Sequence, residues 1–102
     1  MTRSVYFEPE AASELLDAED WYERRVDGLG MTFVTAVNTA VDSIALWPHT
    51  GAIVEGAPRP AEVRRAPIDR FPYYVAYVVT DDAIQVLAIA HERRHPTYWT
   101  GT

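Results

Sequence analysis

Two glycines, Gly28 and Gly30, separate two segments of helical period, and this punctuation constrains the fold more than any other stretch of the chain. From Glu10 to Asp27 the residues Ala11, Leu15, Ala18, Tyr22 and Val26 form a stripe at 3.6 spacing, with Ser13, Asp17, Asp20 and Arg24 opposite. Beyond the glycines the stripe is Phe33, Val37, Ala40, Val41 and Ile44, with Thr35, Thr39 and Asp42 turned away, and it stops before Pro48. A glycine suits the left-handed residue that ends a helix, and so short a link predicts an antiparallel helix pair. Such a pair presents one apolar side, which a second layer must cover.

The rest of the chain supplies that layer. Ser4 to Glu8 alternates, with Val5 and Phe7 on one side, and Pro9 fits the first turn of the following helix. Glu62 to Ile68, Tyr73 to Thr80 and Ala83 to Ala90 read as strands, the last two joined as a hairpin at Asp81-Asp82. Gly51, Gly56 and Pro58 mark residues 48 to 60 as a loop. The expected fold is α+β in the order β-α-α-β-β-β, an antiparallel helix hairpin packed on one face of a small, mainly antiparallel sheet. With 102 residues, no repeat and no composition break, one domain over 1–102 is expected.

Tyr73-Tyr74-Val75-Ala76-Tyr77-Val78-Val79 is apolar on both alternating faces, whereas one helix pair covers only one face of a sheet. The second face therefore calls for the tail with Pro96, Tyr98 and Trp99, a protein partner or a second copy of the chain.

The formal net charge is −6, which excludes a cationic coat for non-specific nucleic-acid binding. The balance is uneven. Residues 1–56 hold three arginines against ten carboxylates, and residues 57–102 hold six arginines against five. All nine cations are arginine, the planar fork suited to phosphate and carboxylate. Cysteine is absent, so disulfide and thiolate chemistry are excluded. The longest apolar runs, around Val75 to Val79 and Val86 to Ala90, are far shorter than the ~20 residues that span a bilayer. The first residues lack the apolar stretch of a secretion signal, so a cytoplasmic protein without a membrane partner is expected.

His91-Glu92-Arg93-Arg94-His95 fits the H-E-x-x-H zinc pattern, which needs both imidazoles one helical turn apart. Here the segment leaves a strand and Pro96 pushes His95 away from helical dihedrals, so neither a metal nor another cofactor is expected. Arg64 and Arg65 on one strand, Arg70 before the next, and Arg93, Arg94 and Tyr98 after the last form a different candidate. Guanidinium groups beside a phenol can hold a phosphodiester and stack a base; otherwise these arginines are solvated or paired with Glu62, Asp69 and Glu92. RNA cleavage would need a base, a cation for developing phosphorane charge and an acid, roles open to His91, Arg93 and Tyr98. Glu14, Asp17, Glu19, Asp20 and Glu23 fall on the solvated side of the first helix, and Trp21 sits between that side and the core stripe.

Four stretches, in this order and at this length, resemble the ParE/RelE superfamily of toxins from bacterial type II toxin-antitoxin pairs. They are Phe7-Glu8-Pro9-Glu10-Ala11; Trp21-Tyr22-Glu23-Arg24-Arg25 through Gly28-Leu29-Gly30; Val63-Arg64-Arg65; and Arg70-Phe71-Pro72-Tyr73 through Ala90-His91-Glu92-Arg93-Arg94-His95-Pro96-Thr97-Tyr98-Trp99. The likeness is strongest to the ParE-like, plasmid-stabilisation branch. It implies a toxin silenced by a co-encoded antitoxin, alone as a homodimer or in a hetero-oligomer with that antitoxin. ParE-like members are associated with inhibition of DNA gyrase, and RelE-like relatives with ribosome-dependent cleavage of messenger RNA. Arg65, Arg93 and Tyr98 match recurring family positions. Tyr74 stands where relatives commonly carry an arginine, and the chain has no lysine for the nuclease pattern. The expected activity is therefore gyrase inhibition, with Arg64, Arg65, Arg70, Arg93, Arg94 and Tyr98 as target contacts. The alternatives are a ribosome-dependent endoribonuclease using His91, Arg93 and Tyr98, and an inert paralogue that only binds antitoxin.

Overall fold

The computed structural model describes residues 3–55 and 62–94. Strand β1 (Ser4–Phe7) leads into helices α1 (Pro9–Arg25) and α2 (Leu29–Leu46), followed by strands β2 (Ala52–Ile53), β3 (Val63–Pro67), β4 (Tyr73–Val79) and β5 (Ala83–His91). The strands form one sheet in the order β1-β5-β4-β3-β2, in which only the β1–β5 pair is parallel. The expected order and packing are thus present, with one added strand. β2 is two residues long and pairs at the sheet edge with Arg64 and Arg65, too short for any alternation to betray it.

The helix hairpin forms where the glycines place it. Gly28 takes φ +88°, a conformation that costs other residues a steric penalty, and α2 starts at the next residue. The side chain of Glu23 reaches past the end of α1 and accepts from the amides of Gly28 and Gly30 at 3.0 to 3.1 Å. Two of the orphan N–H groups at this turn are satisfied in this way. At Gly30 the helices close up so far that a Cβ would stand 2.8 Å from the Glu19 carbonyl.

Ala11 and Ala18 of α1 and Phe33, Val37, Val41 and Ile44 of α2 bury against Val75, Tyr77, Ile84, Val86 and Ile89 of the sheet. Val26, the last residue of the expected α1 stripe, lies beyond the helix end and is exposed. Among the described residues α2 is the one helix long and apolar enough to cross a membrane, but its apolarity is that of a core helix, since Phe33, Val37, Val41 and Ile44 are buried.

On β5 the core residues Val86 and Ile89 are three apart. Tyr77 pairs with Val86 and Ala76 with Ala88, so Leu87 is an extra residue, a bulge that breaks the two-residue alternation and returns Ile89 to the core side. Pro67 costs no ladder bond. The Ile68 amide donates across to Tyr73, so the missing donor of Pro67 faces the outer edge, past the end of β2.

The second face of the sheet also carries buried side chains. Val54, Val63, Tyr74, Ala76, Ala88 and Ala90 form a second buried cluster, half of it alanine. Pro96, Tyr98 and Trp99, assigned a covering role from sequence, lie outside the described residues, as does His95 of the H-E-x-x-H pattern.

Candidate functional site

Strand alternation sends the adjacent arginines of β3 to opposite faces. Arg64 shares the helix side with Tyr77, its register partner, and its side chain is only 17% exposed. Its guanidinium donates to the carbonyls of His49 and Gly51 at 3.0 and 2.8 Å and pairs with Glu62 at 2.9 Å. The buried Tyr77 hydroxyl donates to Pro48, and a Cβ on Gly51 would collide with that hydroxyl. Arg64 is therefore committed to holding residues 48–51 against the sheet, using a charge-assisted fork on backbone oxygens.

Arg65 points to the second face. It is exposed, with its guanidinium carbon 4.7 Å from the centre of the Tyr74 ring, a cation–π contact. Arg65, Tyr74, Pro67 and Glu92 line a groove of about 630 Å³ that also takes in Ser43 and Thr50. Tyr74 thus serves as a platform for Arg65.

Arg70 occupies the β3–β4 turn with φ +73° and is exposed, 4.0 Å from Asp69. It faces α2 across a smaller hollow shared with Met31, Thr35 and Phe71. Arg93 and Arg94 follow β5 in a turn and are exposed. The register places Tyr73 opposite His91 and Tyr74 opposite Ala90, so Arg70, Arg93 and Arg94 emerge at the end of the sheet where β4 starts and β5 stops. Arg70, Arg93 and Arg94 thus emerge at one end of the sheet, Arg94 on the α1 side, while Arg65 lies within β3 on the second face and Arg64 is turned away. Tyr98 lies outside the described residues.

His91 packs its ring edge-on against Tyr73 at 5.0 Å. Its Nδ1 accepts the Arg93 amide at 3.0 Å, so a neutral ring carries its proton on Nε2 and has no free lone pair. It cannot act as a general base here without releasing Arg93. Residues 92–94 form a turn rather than a helix, and among the described residues no group of three or more His, Asp or Glu is placed to hold a metal.

A second cleft, of about 560 Å³, lies between α1 and the ends of β4 and β5. Glu14, Asp17, Trp21 and Tyr22 line one wall, and Tyr73, His91 and Arg94 the other. Glu14, placed on the solvated side by its helical period, is half-buried and accepts the Ile89 amide at 3.0 Å. That amide points outward from β5 past the end of β1, a partner no local pattern reveals. Burial raises the pKa of Tyr73, and the nearby Glu14 carboxylate raises it further; Tyr22 and Tyr77 are also raised, chiefly by burial. All three phenols remain neutral hydrogen-bond donors at ordinary pH.

No curated protein sequence matches this chain significantly. Among solved structures, the chromosomal ParDE toxin-antitoxin system of P. aeruginosa contains a chain 22% identical, with a TM-score of 0.72, covering 88% of this chain and 96% of that one. The YoeB dimer from Staphylococcus aureus is 17% identical with a TM-score of 0.59, covering 89% and 98% respectively. These likenesses establish the fold. The family model of the ParE toxin of the type II toxin-antitoxin system parDE matches residues 5–96, from the first residues of β1 past the arginines that follow β5. The chain belongs to the ParE toxin family of type II toxin-antitoxin systems.

Proposed function

We propose that this toxin acts by inhibiting DNA gyrase and is silenced by a co-encoded antitoxin in a toxin-antitoxin hetero-oligomer. The observation that carries the reading is the match of the parDE toxin model across nearly the whole chain, described strands and helices included. Three further observations favour a protein target over messenger RNA. The net charge of −6 opposes docking on a polyanionic ribosomal site. His91 has its Nδ1 lone pair occupied by the Arg93 amide. Arg64, one of the few cations near the sheet, is taken up by backbone carbonyls. Arg65, Arg70, Arg93 and Arg94 remain exposed as target contacts, with Tyr98 assigned to the same set.

Induced expression of the toxin without antitoxin tests this. Gyrase inhibition gives double-strand breaks and a DNA-damage response while transcripts stay intact, and the purified protein blocks supercoiling. Intact DNA with truncated messages would overturn the proposal in favour of an endoribonuclease, and unimpaired growth in favour of an inert paralogue. Co-expression of the neighbouring reading frame restores growth if it encodes the antitoxin.

A further inference from the structure

We propose that Arg70 is a dedicated target contact, a guanidinium that takes a carboxylate on the target protein and is kept at a turn position the fold itself assigns to glycine. This deepens the gyrase reading above and rests on it. The Phe71 amide donates to the Ile68 carbonyl at 3.3 Å, closing a four-residue turn whose third residue is Arg70. Of its two central residues only Arg70 has a positive φ, +73°, the sign pattern of a type II turn, which calls for glycine there. Among the described residues the other positive φ belongs to Gly28, where glycine is in place. Arg70 therefore carries the steric penalty of a left-handed backbone.

The surroundings hold the turn in that form. The Ile68 amide donates to Tyr73 at 3.0 Å, and the Phe71 ring packs edge-on against Tyr22 and Phe33 at 4.9 and 5.0 Å. Nothing the Arg70 side chain does within the described residues offsets the penalty. It is 80% exposed, and its one ion pair, with the 91% exposed Asp69, stands at 4.0 Å, where such a pair contributes little. A cation kept against the local rule without an internal return points to a contact outside the chain. The adjoining hollow of about 310 Å³ names the class of that contact. Asp69 and Arg70 are the only charged residues in its lining, which otherwise includes Met31, Thr32, Thr35 and Phe71. One guanidinium beside an apolar and hydroxyl-bearing surface suits a single carboxylate on a protein, whereas a nucleic-acid backbone calls for several cations, on a chain of net charge −6.

The test compares the full-length chain with Arg70→Gly, Arg70→Gln and Arg70→Lys by thermal unfolding, growth arrest on induced expression and inhibition of supercoiling by purified gyrase. Arg70→Gly should raise Tm by about 4 °C, the relieved backbone penalty less the entropy glycine adds to the unfolded chain. The same variant should raise the half-inhibitory concentration at least about tenfold, with growth arrest lost in step. Arg70→Gln keeps the backbone penalty, so Tm should stay put while inhibition falls as far; Arg70→Lys keeps the charge and should lose less. A glycine variant that is no more stable, or that is more stable and equally toxic, would overturn the proposal. Full toxicity of Arg70→Gln would overturn it too, since the charge would then play no part. Unchanged toxicity with lost neutralisation by the product of the neighbouring frame would overturn it in favour of the antitoxin as the partner. DNA alone retarded by the parent chain but not by Arg70→Gln would overturn the carboxylate in favour of a phosphate. Growth arrest by the parent chain without inhibition of gyrase would sink the gyrase reading alone, and growth arrest across the three variants would then decide the role of Arg70.

Discussion

The hydroxyl of Tyr77 on β4 donates to the carbonyl of Pro48, 29 positions earlier, across 2.8 Å in a buried setting. This bond and the two that Arg64 donates to His49 and Gly51 tie the segment after α2 to the sheet and bring β2 alongside β3. Tyr77→Phe keeps the ring and strands the Pro48 carbonyl, which should cost about 1–3 kcal/mol. A domain of this size loses roughly 4–8 °C of Tm per kcal/mol, so thermal unfolding reads the effect directly. An unchanged Tm would show that the bond contributes nothing.

Arg64 and Arg65 are neighbours in sequence with opposite roles, and alanine scanning separates them. Arg64→Ala leaves two backbone oxygens without their donor and should lower stability by about 1–3 kcal/mol. Arg65→Ala removes one exposed cation–π contact, worth about 0.5–1 kcal/mol, while weakening toxicity. Denaturant titration beside a growth assay checks both; the reverse ranking in stability would contradict the geometry.

Glu23 caps the turn between the helices through the amides of Gly28 and Gly30. Glu23→Ala should destabilise by about 1 kcal/mol, the usual worth of a helix cap. Glu23→Gln retains an acceptor oxygen and should lose less, as seen in urea midpoints at constant slope.

Tyr22, Tyr73 and Tyr77 all have their pKa raised in the folded chain, above the usual value of 10.0, with burial the largest cause. Above about pH 10 the unfolded chain releases these protons while the folded chain retains them, so stability falls as pH rises. The contribution is complete below the unfolded pKa and disappears as pH passes the raised folded values. Tyr73→Phe should flatten this alkaline decline, measured as the unfolding free energy between pH 8 and pH 11 relative to the unsubstituted protein.

Two helical stripes around Gly28 and Gly30, the β4–β5 hairpin and the order of elements were legible in the sequence because they depend on contacts between residues close in the chain. The two-residue β2 and the Leu87 bulge were not, since each exists only through pairing with another strand. Glu14 and Glu23 share the polar period of α1 with Asp20, which makes the surface ion pair with Arg24. Only the arrival of Ile89 from the far end of the chain, and of Gly28 and Gly30 round the turn, distinguishes them.

The sequence by itself determined the element types, the helix hairpin and the family likeness carried from Phe7 to the residues beyond β5. The tertiary structure alone decided that β1 enters parallel beside β5, that Arg64 is withdrawn while Arg65 is offered, and that α1 and β5 enclose a cleft. Periodicity records which residues share a face of one element. Which face meets which partner depends on how distant segments close upon one another, and no local pattern of side chains encodes that.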